Sequence, residues 1–194
     1  MMQCFPKSTF SVRLFKGIQV PGLNDYLVPT FFHFLLGELV SNDIPSANVF
    51  GVDLSQRMVD ISRERKSKSG GNVYMSVIVS DAAQFLSTIE DNSIDCVLAS
   101  DVFIYVGDIS SVLAESSRCL VDNGLVGFTI ESYEDSGSDS GLKLLPSGRF
   151  GHSREYINEV ATLKGFQVFS WEECILRKQG GKDVTGAAVI LKKM

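Results

Sequence analysis

The sequence predicts an α/β fold, a Rossmann-like and mostly parallel sheet with helices on both faces and an antiparallel hairpin at its C-terminal end. Three observations predict it. Short apolar or β-branched runs stop at acidic residues, and helical periodicity starts directly behind them, at Asp53, at Ser80-Asp81 and at Ser100-Asp101. These strand–turn–helix units repeat at a spacing that implies right-handed crossovers between parallel strands. Phe166 to Arg177 and Val184 to Lys192 then read as two strands joined by a Gly180-Gly181 turn.

Residues 1–28 sustain no helical period. Phe10 to Phe15 alternates weakly, and Gly17 and Pro21-Gly22 punctuate, so this part reads as strand or irregular structure. Pro29 to Val40 reads as a helix that is apolar on nearly every side, with Pro29 near its start. After the loop Ser41 to Ala47, Val49 to Val52 forms a strand that ends at Asp53. Leu54, Met58 and Ile61 follow at helical spacing, with Ser55 as N-cap. The turn SKSGG leads to a strand over Val73 to Val79, and Ala82, Phe85 and Leu86 mark a helix that Asp91-Asn92 ends. Ile94 to Ala99 is the next strand, Ile109 to Leu120 a helix closed by the Asn123-Gly124 turn, and Leu125 to Ile130 a strand tipped by Glu131. Residues 134–149, rich in Gly, Ser and Asp, read as a loop over the carboxyl edge of the sheet. Ser153 opens a helix that reaches Lys164 and stops at Gly165.

A chain of 194 residues, 44% of them hydrophobic, is long enough to bury a single core. Its net charge of −5, with both signs spread along the chain, gives no broad footprint for nucleic acid or an anionic membrane. The partner expected is a small molecule or a protein. Cys4, Cys96, Cys119 and Cys174 have no paired spacing, which argues against a metal site or a disulfide framework and fits a reducing compartment. A cytoplasmic location is expected. The alternative is an organelle, because Lys7, Arg13 and Lys16 stand among Ser8, Thr9 and Ser11 with no acid before Asp25. Tyr26 to Val40 is the most apolar run, but it contains Pro29, His33 and Glu38 and falls short of the roughly 20 residues of a membrane span.

In open α/β sheets ligands sit beyond the carboxyl ends of the strands, and a carboxylate there can accept from both hydroxyls of a nucleoside ribose. Asp53 is the first candidate. The competing reading is that Asp53 caps the helix behind it, and Asp81 has the same alternative before Ala82. His152 precedes a helix and either caps it, faces solvent or serves the chemistry, whereas His33 on an apolar helix reads as a packed residue. Tyr105 and Tyr156 read as core edges with hydroxyls toward water, and Arg149 as a surface cation or a hold on an acidic substrate.

The runs GVDLSQRMVDISRER, SDAAQFL, IDCVLASDVFIYVGDIS, CLVDNGLVGFTIES and PSGRFGHSREYI carry a more specific signal. They resemble class I S-adenosylmethionine-dependent methyltransferases, and most closely the methyltransferase domains of bacterial TPR-repeat proteins and their plant relatives, from about Phe34 to the C-terminus. The resemblance implies S-adenosyl-L-methionine as cofactor. Asp53, with Leu54 beside it, would take the ribose hydroxyls, Asp81 the adenine amino group, and the Ala82 backbone amide the ring. Ser100, Asp101 and Val102 would line the methionine end. Methyl transfer is an in-line displacement at a sulfonium carbon, so positioning matters more than a nucleophile. Where the acceptor must lose a proton, the candidate bases are His152, Glu131 and Asp101.

The family's core opens with a strand and a glycine-rich turn, roughly D-x-G-x-G-x-G, and this chain has no such run. Phe31 and Phe32 stand in its place, where a Cβ would crowd the cofactor. The first strand is therefore expected to be atypical or missing, with residues 1–28 an atypical segment and 29–194 the methyltransferase-like domain. Thr9 to Val20 is the expected substitute strand. Two functions follow from the resemblance: a methyltransferase acting on a small molecule or protein side chain, or a domain without activity that binds or regulates a partner. A TPR-bearing partner is a further expectation.

Overall fold

The computed structural model describes residues 25–29, 35–133 and 141–194, with side chains from residue 36 onward. In chain order the strands are β1 (Asp25–Pro29), β2 (Asn48–Asp53), β3 (Ser76–Val79), β4 (Ile94–Ala99), β5 (Leu120–Ser132), β6 (Leu142–Leu144), β7 (Phe150–His152), β8 (Phe166–Gln179) and β9 (Lys182–Lys193). The helices are α1 (Leu35–Asp43), α2 (Gln56–Arg63), α3 (Ala82–Leu86), α4 (Ser110–Cys119) and α5 (Arg154–Leu163), with a short 3-10 turn at Phe103–Tyr105.

All described strands join one sheet. β3, β2, β1, β4 and β5 lie side by side and parallel, and β9 runs antiparallel along β5 with β8 outside it. The period of two sorts the side chains. Val97, Ala99, Val126, Phe128, Ile130 and Val189 pack with Leu86 of α3, Leu113 of α4 and Ile157 of α5 on one face. Cys96, Leu98, Leu125 and Ile190 face the other way, with Leu36 and Val40 of α1 and Val59 of α2. The inner strands β2, β4, β5 and β9 are thus largely buried on both faces, which is why such runs read as nearly continuous apolar segments rather than alternating ones. No helix among the described residues is long and apolar enough to cross a membrane.

Three expectations change. A first strand stands in the centre of the sheet: β1 pairs with β2 through Asp25↔Asn48 to Pro29↔Val52 and with β4 through Tyr26↔Cys96 and Leu27↔Val97. It crosses the 28/29 boundary, and Pro29 ends a strand instead of starting a helix. Proline is tolerated there because it closes the ladder, while α1 begins only at Leu35. Thr9 to Val20, Phe31, Phe32 and His33 lie outside the described residues.

The second change is at the expected loop 134–149: β6 lies inside it and forms a hairpin with β7 directly behind it. β7 pairs with β5 through Glu131↔Gly151 and Ser132↔His152. Glu131 also pairs with Gly186 of β9, so β7 takes the edge of β5 that β4 leaves beyond Ala99. Third, β5 starts at Leu120 and runs through Asn123-Gly124, with Asn123 at φ 64°.

Candidate functional site

The carboxyl ends of β2, β3 and β4 meet around a cavity of about 110 Å³. β2 contributes Val52 and Asp53 with Leu54 behind them, and the turn after β3 contributes Ser80, Asp81 and Ala82. The third wall is apolar: Val102, Phe103, Tyr105 and Val106 around the 3-10 turn, with Val112 of α4. The expected residues Asp53, Leu54, Asp81 and Ala82 are thus brought together.

Asp53 is 4% exposed. Its Oδ1 accepts the Ser55 backbone N–H at 2.7 Å, and its Oδ2 is buried without a partner among the described residues. Burial raises the carboxyl's pKa above the ordinary 3.8, with the Ser55 N–H opposing that rise. Ser55 occupies the N-cap position of α2, but its side chain makes no capping bond; the carboxylate behind it steadies the turn instead. One oxygen is therefore structural and the other is a buried acceptor at the edge of the cavity.

Asp81 differs. Its Oδ1 accepts from the N–H groups of Ala83 at 2.9 Å and Gln84 at 3.1 Å, so it does cap α3. The cap leaves the Ala82 N–H outside it, and Asp81 still borders the cavity.

Ser100 and Asp101 continue β4 into the turn that leads to Val102. Ser100 is buried. Asp101 has φ 55°, a left-handed conformation uncommon outside glycine, and its N–H donates to Thr129 Oγ1 at 2.9 Å. Thr129, buried in β5, has no motif to announce it; alternation placed it inward, and only the tertiary pairing gives it this role.

The other two candidate bases sit elsewhere. Glu131, 4% exposed, is ion-paired with Arg177 of β8. His152 is fully buried, and its Nε2–H donates to the Gly107 carbonyl at 2.9 Å, while Nδ1 is buried without a partner among the described residues. Neither lines the cavity, and Ser100 and Asp101, just ahead of Val102, do not line it either. Burial lowers the His152 pKa, and the carbonyls of Gly107 and Val106 oppose that. Tyr105 is 40% exposed at the cavity's edge, with the Arg149 guanidinium 5.7 Å from its ring centre. Tyr156 does not reach toward water: its hydroxyl donates to Asp108 Oδ1 at 3.0 Å and accepts from the Ile109 N–H at 3.1 Å.

Comparison with known proteins agrees with this geometry. Residues 35–128 match a family described as "Methyltransferase domain". Curated protein sequences give no match. Among solved structures, geranyl diphosphate methyltransferase in complex with SAM is similar at a TM-score of 0.77 and 15% identity, covering 96% of this chain and 85% of that one. A SAM-dependent methyltransferase from Methanosarcina mazei is similar at a TM-score of 0.68 and 14% identity, covering 100% of this chain and 99% of that one. The cyclase SpnF shares the fold at a TM-score of 0.72 and 16% identity, over 96% of this chain and 80% of its own. At such identities the likeness is one of fold. Residues 35–128, just under half of the chain, are similar to a methyltransferase domain, and the fold as a whole is the Rossmann-like class I fold of the S-adenosylmethionine-dependent methyltransferases.

Proposed function

We propose that the chain is an S-adenosylmethionine-dependent methyltransferase acting on a small-molecule or protein acceptor. Asp53 carries this reading. A buried carboxylate with one oxygen fixed by Ser55 and the other without a partner fits the paired hydroxyls of a ribose, whose donors would relieve its desolvation. Asp81 and the Ala82 amide suit the polar edge of an adenine ring, and Val102, Phe103 and Val106 suit its faces. Ser100 and Asp101, on the turn after β4, would face the methionine end. The bound cofactor supplies a methyl group on a sulfonium, ready for displacement.

Of the three expected bases, Glu131 is engaged by Arg177 and His152 by Gly107. Asp101, which follows β4 at the carboxyl edge and stands next to the cavity-lining Val102, is the base proposed where the acceptor must lose a proton. A second reading, a binding or regulatory domain without activity, is favoured by Phe31 and Phe32 between β1 and α1, where no glycine occurs.

Calorimetric titration with S-adenosylmethionine decides between them, with Asp53→Ala as control. Saturable binding that the substitution abolishes is the expected result. No heat from folded protein at about 1 mM cofactor, a limit of about −4 kcal/mol, refutes the enzyme and leaves the second reading.

A further inference from the structure

The run GRFGHSREYI, from Gly148 to Ile157, supplies neither a ligand to the cavity nor a base, yet its side chains grip the cavity's third wall in succession. Arg149 lies over the Tyr105 ring. The Phe150 ring covers Gly107 so closely that a Cβ there would stand 3.2 Å from it. His152 donates to the Gly107 carbonyl. Tyr156 joins Asp108 to the Ile109 N–H, and Asp108 Oδ1 also accepts from the Ser110 N–H at 2.8 Å. Four residues of the β7–α5 segment thus meet residues 105–109 in order.

The wall needs such support. Ile109 occupies the N-cap position of α4 and makes no side-chain capping bond, so the first amides of that helix depend on Asp108 and on Tyr156 from α5. The 3-10 turn ahead of it is a single short turn that holds no position by itself. His152 is a fully buried polar side chain whose Nε2–H is committed to the Gly107 carbonyl.

We infer that His152 and Tyr156 are positioning residues, which set the cofactor wall Val102–Val106 through Gly107, Asp108 and Ile109 without touching the ligand. The inference rests on the cofactor reading above. Loosening the clamp lets the wall drift and weakens cofactor binding.

The test uses the full chain and two measurements, amide hydrogen exchange of peptides covering residues 103–112 without ligand, and calorimetric affinity for S-adenosylmethionine. Tyr156→Phe removes both hydroxyl bonds, and His152→Leu removes the one to Gly107. Asp108→Ala, at an exposed position, serves if either folds poorly. Each is expected to speed exchange in that segment and to weaken the cofactor about tenfold, the scale of one lost hydrogen bond. His152→Gln, whose amide nitrogen can reach where Nε2 stands, and Asp108→Asn, which keeps the acceptor oxygen, are expected to recover most of both effects. Faster exchange with unchanged affinity overturns the inference, because the clamp is then structural only. Unchanged exchange overturns it as well. A wild-type chain that takes no cofactor at all refutes the proposed function, an outcome distinct from wild-type binding that the variants leave intact.

Discussion

Replacing Asp53 by Asn separates the two duties that a strand-tip carboxylate can have. Asparagine keeps an oxygen able to accept the Ser55 N–H, now bonded at 2.7 Å, but it turns the partnerless second oxygen into a donor and removes the charge. In the free protein this helps. Burial holds the Asp53 pKa above 3.8, so folding prefers the neutral carboxyl: the stability it contributes is present below pH 3.8 and is lost as pH rises through the raised value. At pH 7 the ionised group is a cost, and Asp53→Asn is expected to unfold at the same temperature as the parent or a higher one. Binding moves the opposite way. Hydrogen bonds to a charged acceptor contribute about 1.5–3 kcal/mol each, so losing the ribose pair removes about 3 kcal/mol or more, roughly a hundredfold or more in Kd. Calorimetric titration and thermal unfolding of one preparation read both signs. A plain helix cap predicts unchanged unfolding with unchanged binding, since Asn caps as well as Asp, so the loss of affinity is what discriminates. An Asp53→Asn protein that binds S-adenosylmethionine like its parent refutes the ribose assignment.

Three further outcomes are expected. Because burial lowers the His152 pKa below 6.5, its neutral form belongs to the folded state, and stability is full above pH 6.5 and declines as pH falls below it; denaturant unfolding across pH should show this slope, and His152→Gln should flatten it. Arg118→Ala should cost about 2–3 kcal/mol in the same assay, because the guanidinium donates to the carbonyls of Leu86 and Ile89, both at 2.7 Å, and so ties the end of α3 to α4. Loss of its bond to the exposed Asp91 alone, in Asp91→Ala, should be nearly silent. Gly186→Ala should cost about 3 kcal/mol or more, since its Cβ would stand 2.1 Å from the Ile130 carbonyl oxygen and β9 is paired on both edges; a soluble variant with unchanged thermal unfolding would count against the tight β5–β9 pairing.

Strand identity was legible wherever burial on two faces and a following helix left a continuous apolar run, as at Ile94–Ala99. β1 was not legible, because its five residues are bracketed by Asp25 and Pro29, residues that read as loop and helix start when no neighbour is in view. Its identity comes from the ladders on both sides. The β6–β7 hairpin was hidden for a similar reason: strands of three residues amid Gly and Ser carry too little pattern to outweigh the composition. The site divided along the same line. Asp53 and Asp81 are marked by local sequence, whereas Thr129 and Tyr156 act on residues 28 and 48 positions away, and no local signal records such pairings.

The two acids at the strand tips make the limit concrete. Both precede a helix, and both were open to the same pair of readings. Asp81 is exposed and gives one oxygen to two amides of α3, a helix of five residues too short to hold its first turn without help. Asp53 stands deeper, because β2 lies inside the sheet while β3 forms its edge; its carboxylate gives one oxygen to Ser55 and keeps the other buried and unpartnered. Sequence supplies the same residue type in both places. Position within the sheet decides which acid is mainly a cap, and which keeps a buried oxygen without a partner among the described residues, at some expense in stability.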